Sequence, residues 1–286
     1  VDLEELESLS LDDVPRSQII KAPFGYPGGK SKSLDYILPR LPYRERYVEV
    51  FGGSGAVLLA RRPCKCEVFN DAYSGITDFY KVIQSPRCQE LIDWTRANIH
   101  SRELFTYYRD TWTDIKDPFE RACRWFYLVK ASFSGLGRQY GRSLTNNAFV
   151  NKLYNCLGDL AGVHERLKGV CIENADWRKI LSDYDSPQTV FYLDPPYVDA
   201  YSGTYANELT IQDHKELIAT VSRLQGFVAI SGYTNPLYEA AEWDARFEWD
   251  VKVWMDSGAA TESNNKMHLD AHRPKSSTKE VLWVKA

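Results

Sequence analysis

No stretch of this sequence is apolar for long enough to span a bilayer, and its first residues lack the basic, apolar, small-residue order of a secretory signal. The expectation is a cytoplasmic protein without membrane contact. Its six cysteines (Cys64, Cys66, Cys88, Cys123, Cys156, Cys171) are scattered through segments that read as helices and strands, so no disulfide framework is expected. Metal-ligand spacing is missing too. Cys64 and Cys66 have one residue between them and no second pair nearby, and His268 and His272 lack a third ligand, so no metal site is expected. There is no internal repeat. Nor is there an overall basic excess, because the formal net charge is −4.

That charge is unevenly placed. Residues 1–14 hold six acids and no base, which leaves residues 15–286 at a formal +2. Within 116–152, seven bases (Lys116, Arg121, Arg124, Lys130, Arg138, Arg142, Lys152) face only Asp117 and Glu120. A local +5 can neutralise phosphates, although a solvated helix face explains it equally well. The acidic head reads as a tail or a short surface helix.

What is present is an α/β rhythm with an interruption. Tyr26-Pro27-Gly28-Gly29-Lys30 forms a turn, 47–51 a buried strand, Gly52-Gly53-Ser54-Gly55 a glycine turn, and Ala56 begins a helix. A second strand, 67–69, ends in Asn70-Asp71. This order opens a doubly wound α/β unit. Helical periodicity then dominates, notably over 86–99, 101–112 and 118–133, before a polar, glycine-rich stretch at 135–149. A loop of that kind within a compact fold points to binding. Strands resume at 170–173 and 189–193, the latter running into Asp194. A helix at 210–224 follows, then strands at 227–230, 247–254 and 279–284, the last two flanking a polar loop.

Two motifs carry chemistry. Glycines at a strand-to-helix turn admit a ligand close to the backbone, and an acid ending the next strand, Asp71, can accept ribose hydroxyls. Asp194-Pro195-Pro196-Tyr197 sits at a strand's carboxyl end, where ligands bind in such sheets. Its prolines cannot donate hydrogen bonds but fix a rigid turn. An aspartate and a proline carbonyl can together accept from one planar amino group, while Tyr197 offers a stacking face worth about 1–3 kcal/mol. Those contacts favour a pyramidal nitrogen attacking a methyl group.

Taken in order, Phe24–Lys30, Val48–Gly55, Asn70-Asp71 and Asp194–Tyr197 resemble the DNA adenine methylase family, amino-methyltransferases of the alpha group. Asp117–Ala122 and Ser134–Arg138 resemble the start of that family's recognition module. The resemblance covers nearly the whole chain. It implies a seven-stranded Rossmann-like methyltransferase sheet formed by 15–73 and 168–286, with a mainly helical target-recognition domain inserted at 74–167. It implies transfer of methyl from S-adenosyl-L-methionine to adenine N6 in double-stranded DNA, leaving S-adenosyl-L-homocysteine. Tyr26, Lys30, Phe51, Gly53, Gly55, Asp71 and Asp176 would hold the cofactor, with Asp194 bordering it. Asp194, Pro195, Pro196 and Tyr197 would bind the flipped adenine. Arg138, Arg142 and Lys275 are the candidate DNA contacts, an arginine on guanine contributing about 1–3 kcal/mol of discrimination. The expected assembly is a monomer, with a dimer on DNA as the alternative.

Three rivals remain at this level. A cytosine amino-methyltransferase of this kind more often carries serine in place of Asp194. An RNA adenine methylase usually carries asparagine there and lacks the insertion. A catalytically dead nucleic-acid-binding protein conflicts with the intact Asp194–Tyr197 and Asp71.

Overall fold

The computed structural model describes residues 20–133, 135–198, 208–252 and 277–286. The acidic segment 1–14, His268, His272, Lys275 and Ser276 lie outside the described residues. The strands are β1 (Arg46–Glu49), β2 (Cys66–Asn70), β3 (Val170–Glu173), β4 (Thr189–Leu193), β5 (Phe227–Tyr233), β6 (Ala245–Lys252) and β7 (Ser277–Lys285). They form one seven-stranded sheet in the order β3-β2-β1-β4-β5-β7-β6. Pairing is parallel from β3 through β5, and β7 runs antiparallel to both its neighbours. The expected seven-stranded methyltransferase-type sheet is therefore present.

Period-two alternation decides which side chain enters which core. Tyr47, Phe69, Tyr192 and Leu282 join one buried cluster, while Val48, Val68, Phe191, Leu193 and Trp283 join the other. All of β4 is buried, as a central parallel strand covered on both faces must be. The chain order reverses between β1 and β4. Their carboxyl ends diverge there and leave the crevice in which ligands of such sheets sit.

Helices cover both faces. α1 (Leu34–Ile37) follows the first turn, and α2 (Ala56–Ala60) leaves the glycine turn after β1. Between β2 and β3 the chain forms α3 (Ser74–Gln84), α4 (Cys88–Ala97), α5 (Arg102–Thr111), α6 (Pro118–Ala131), α7 (Ala148–Asn155) and α8 (Leu160–Leu167). α6 starts where residue chemistry dictates: Asp117 accepts hydrogen bonds from Phe119 and Glu120, and Pro118 takes the first helical position. Its Trp125, Phe126 and Val129 join the sheet's core with Ile76 and Phe79 of α3. Tyr127, Leu128 and Ala131 instead pack with Phe105, Tyr108 and Leu153 in a satellite cluster. The segment between β2 and β3 is thus rooted in the sheet's core and carries a small core of its own. α9 (Trp177–Tyr184), α10 (Ile211–Val221) and α11 (Pro236–Glu239) complete the fold. Among the described residues, no helix is long and apolar enough to cross a membrane.

Candidate active site

The glycine turn after β1 is shaped by its neighbours. At Gly52 a Cβ would fall 2.2 Å from the Phe69 ring, so only glycine fits. Gly53 and Gly55 adopt φ of 50° and 64°, the left-handed region that glycine enters without steric cost. Gly53 N–H donates to Asp71 Oδ2 at 2.8 Å, and Tyr73 N–H donates to Oδ1 at 2.8 Å. Asp71 therefore ties the turn to the end of β2. Burial pushes its carboxyl up to about 6, the two backbone donors pulling the other way. Beside it, the buried Asn70 side chain donates to Val50 O and Ala175 O and accepts from Ala175 N–H, locking three strand ends together.

At the switch point lies a cluster of buried charges. Lys30, 4% exposed, places Nζ 2.6 Å from both Asp194 oxygens, 2.6 Å from Gly28 O, 2.8 Å from Tyr197 Oη and 3.2 Å from Glu280 Oε1. Burial pulls the Lys30 pKa down, but Asp194 and Glu280 outweigh it and hold the ammonium above its usual value. Burial pushes the Asp194 carboxyl up, against the Lys30 charge and a 3.0 Å hydrogen bond from Ser231 Oγ. Tyr197 Oη donates to Glu280 Oε1 at 3.0 Å, and Ser33 Oγ donates to Glu280 Oε2 at 3.0 Å. The Tyr197 ring leans on Tyr233, with centroids 4.5 Å apart. Under the motif, buried His214 of α10 bonds Tyr238 Oη at 2.8 Å and faces the Pro196 backbone.

A cleft of about 470 Å³ runs from this cluster over the glycine turn to the start of α9. That volume suits a nucleoside-sized ligand. Of the residues singled out in the sequence, Tyr26, Lys30, Phe51, Gly53, Asp71, Asp176, Asp194 and Pro196 line it. Pro195, Tyr197 and Gly55 do not line it: Tyr197 reaches the cluster through its hydroxyl, 2.8 Å from Lys30 Nζ, and Gly55 caps α2. Asp176 has a structural task as well, since its carboxylate accepts from Arg178 N–H at 2.9 Å and caps α9.

The basic stretch divides. Arg121 pairs with Asp78 at 2.5 Å, Arg124 with Glu120 at 2.6 Å, and Lys130 is buried against Pro23 O at 2.9 Å. These three serve the fold, so the local +5 is not all available to phosphates. Arg138 and Arg142 are exposed in and after a hairpin closed by a Ser132–Tyr140 bridge. Burial raises the pKa of Tyr73 in the cleft wall, opposed by its Trp125 hydrogen bond and by the Arg138 charge. The hairpin also rests on the first motif, because a Cβ on Gly135 would lie 2.7 Å from Gly25 O.

Sequence reasoning missed Glu280, Ser231 and Glu49. Glu49 ends β1, lines the cleft, accepts from Tyr47 Oη at 2.8 Å, and is pushed by burial up to about 8. A local signal existed for Glu49, an acid inside the apolar run Tyr47–Phe51, whereas Ser231 and Glu280 had none.

Comparison with known proteins agrees with this geometry. The family model for D12 class N6 adenine-specific DNA methyltransferases matches residues 26–255. The DNA adenine methylase of Escherichia coli K12 is 25% identical over 201 residues, 66% of this chain and 71% of that protein. The type II methyltransferase M.CviBI of Paramecium bursaria Chlorella virus NC1A is 22% identical over 251 residues, covering 85% and 95% respectively. M1.LlaDCHI of Lactococcus lactis subsp. cremoris, also a type II methyltransferase, is 24% identical over 266 residues, 84% of this chain and 90% of its own. With the motif order, the seven-stranded sheet and the cleft at its switch point, the chain belongs to the D12 class N6 adenine-specific DNA methyltransferase family.

Proposed function

We propose that this adenine-N6 DNA methyltransferase takes its methyl group from S-adenosyl-L-methionine and acts on an adenine rotated out of duplex DNA at a specific site. The observation that carries the reading is Asp194, held against the Lys30 ammonium where β1 and β4 diverge, at the edge of the cleft. The residues present fit the cofactor. Left-handed glycines leave the turn's backbone open beside the Tyr26 ring, and each Asp71 oxygen retains acceptor capacity beyond its single backbone bond. Tyr26, Phe51, Gly53, Asp71 and Asp176 would hold it, with Gly55 shaping the turn. When bound it supplies an electrophilic methyl on sulfur and departs as S-adenosyl-L-homocysteine.

The chain's own residues do the rest. Asp194 and the Pro195 carbonyl accept the two N–H groups of the adenine amine, which favours a pyramidal nitrogen with its lone pair directed at the methyl carbon. Tyr197, anchored through its hydroxyl, stacks on the base. The N–C bond forms as the S–C bond breaks, and the nitrogen, then cationic, loses its proton afterwards. No base has to act first. An amine inside a duplex cannot reach this site, so the base must leave the stack, at a cost of a few kcal/mol. Residues 74–167 would be the recognition module, with Arg138 and Arg142 as its DNA contacts.

Asp194→Ala tests this assignment. Transfer is expected to vanish while cofactor binding, followed by calorimetry, stays within about threefold, since Asp71 and Lys30 remain. An active variant would exclude the mechanism.

A further inference from the structure

Both Asp194 oxygens are held by Lys30 in the structure, each 2.6 Å from Nζ. An adenine amine that takes Asp194 as acceptor competes with Lys30 for it, since Oδ1 already accepts from both Lys30 and Ser231 and Oδ2 accepts from Lys30. Leaving a buried ammonium unpaired is costly, so the site needs a second acceptor within reach. Glu280 meets that need. It is 5% exposed, belongs to β7, and lies 3.2 Å from Lys30 Nζ. Its other contacts make it a fixed point: Ser33 Oγ donates to Oε2 at 3.0 Å, Trp249 Nε1 donates to Ser33 Oγ at 3.2 Å, and Tyr197 Oη donates to Oε1 at 3.0 Å.

We propose that Glu280 is the positioning residue of this reaction, the alternative seat toward which the Lys30 ammonium moves when Asp194 takes up the target amine. The same carboxylate fixes Tyr197 by its hydroxyl, so freeing Asp194 does not loosen the stacking ring. Lys30 then passes between two carboxylates without losing its charge or its pairing. The proposal rests on the functional reading above.

Its test separates the chemical step from binding and folding. Glu280→Gln keeps the shape and one acceptor oxygen for Tyr197, puts a donor NH2 where Oε2 accepts from Ser33, and removes the charge that draws Lys30 away. The single-turnover methylation rate is expected to fall about 10- to 100-fold, the range for one hydrogen bond to a charged group. Cofactor and DNA affinities should stay within about twofold, melting temperature within a few degrees, and Glu280→Asp should recover part of the rate. A Gln variant at the wild-type rate would overturn the proposal. So would parallel loss of rate, cofactor binding and thermal stability, which would assign Glu280 to folding alone. Wild-type methylation of adenine in the same series keeps a failure here distinct from a failure of the functional reading. In a crystal of the wild-type complex with cofactor product and DNA, Nζ should lie nearer Glu280 than Asp194; an ammonium still astride Asp194 would contradict the proposal.

Discussion

Asp71 accepts one backbone hydrogen bond on each oxygen, yet burial raises its pKa to about 6. An unfolded aspartate titrates near 3.9, so between about pH 4 and 6 the native chain binds the extra proton. This group's contribution to stability therefore falls as pH rises through that window. Ligand binding has the opposite sign. A ribose hydroxyl donates, and only the ionised carboxylate offers both oxygens to it. Cofactor affinity is expected to weaken by up to about tenfold per pH unit below about 6, and Asp71→Asn should flatten that dependence while lowering affinity at pH 8. Isothermal titration across the range checks it, and a flat wild-type profile would remove Asp71 from the ribose. Asp71 and Asp194 were legible in the sequence because each is an acid that ends an apolar run. Glu280 was not, because its value depends on what faces it across space.

The hairpin after α6 and the helix itself use their arginines differently. Arg138 is exposed, whereas Arg121 of α6 reaches Asp78 on α3, 43 residues upstream. Charge counting along 116–152 cannot separate these uses, since no local window contains Asp78. The start of α6, by contrast, could be read directly from Asp117-Pro118. The contrast yields paired expectations. Arg121→Ala should destabilise by about 1–3 kcal/mol, leaving Asp78 without its cation, and leave site preference intact. Arg138→Ala should leave the melting temperature unchanged and alter the methylated sequence pattern, with about 1–3 kcal/mol lost at the base it reads. Thermal melts and sequencing of methylated DNA distinguish the two, and an unchanged pattern would remove Arg138 from base readout.

At the scale of the molecule, the sheet gathers groups that lie far apart in the chain. Lys30, Asp71 and Asp194 line one cleft because β1 is central and the chain order reverses beside it. Strand periodicity and the acid-ended runs made that part legible. Glu280 arrives by another route: β7 inserts between β5 and β6, and its register sets Glu280 opposite Tyr233 and Leu282 opposite Ser231. That insertion is a fact of pairing between distant segments, and nothing in the run 277–285 alone announces it. The result is a buried chain of hydrogen bonds from Ser33 through Glu280 and Tyr197 to Lys30 and Asp194.

This assembly methylates N6 of adenine in DNA. The most direct test incubates the protein with S-adenosyl-L-methionine labelled in the methyl group and duplex DNA of mixed sequence, then digests the DNA to nucleosides. Label is expected in N6-methyladenine alone. Label in N4-methylcytosine, or no label in DNA at all, would contradict this activity.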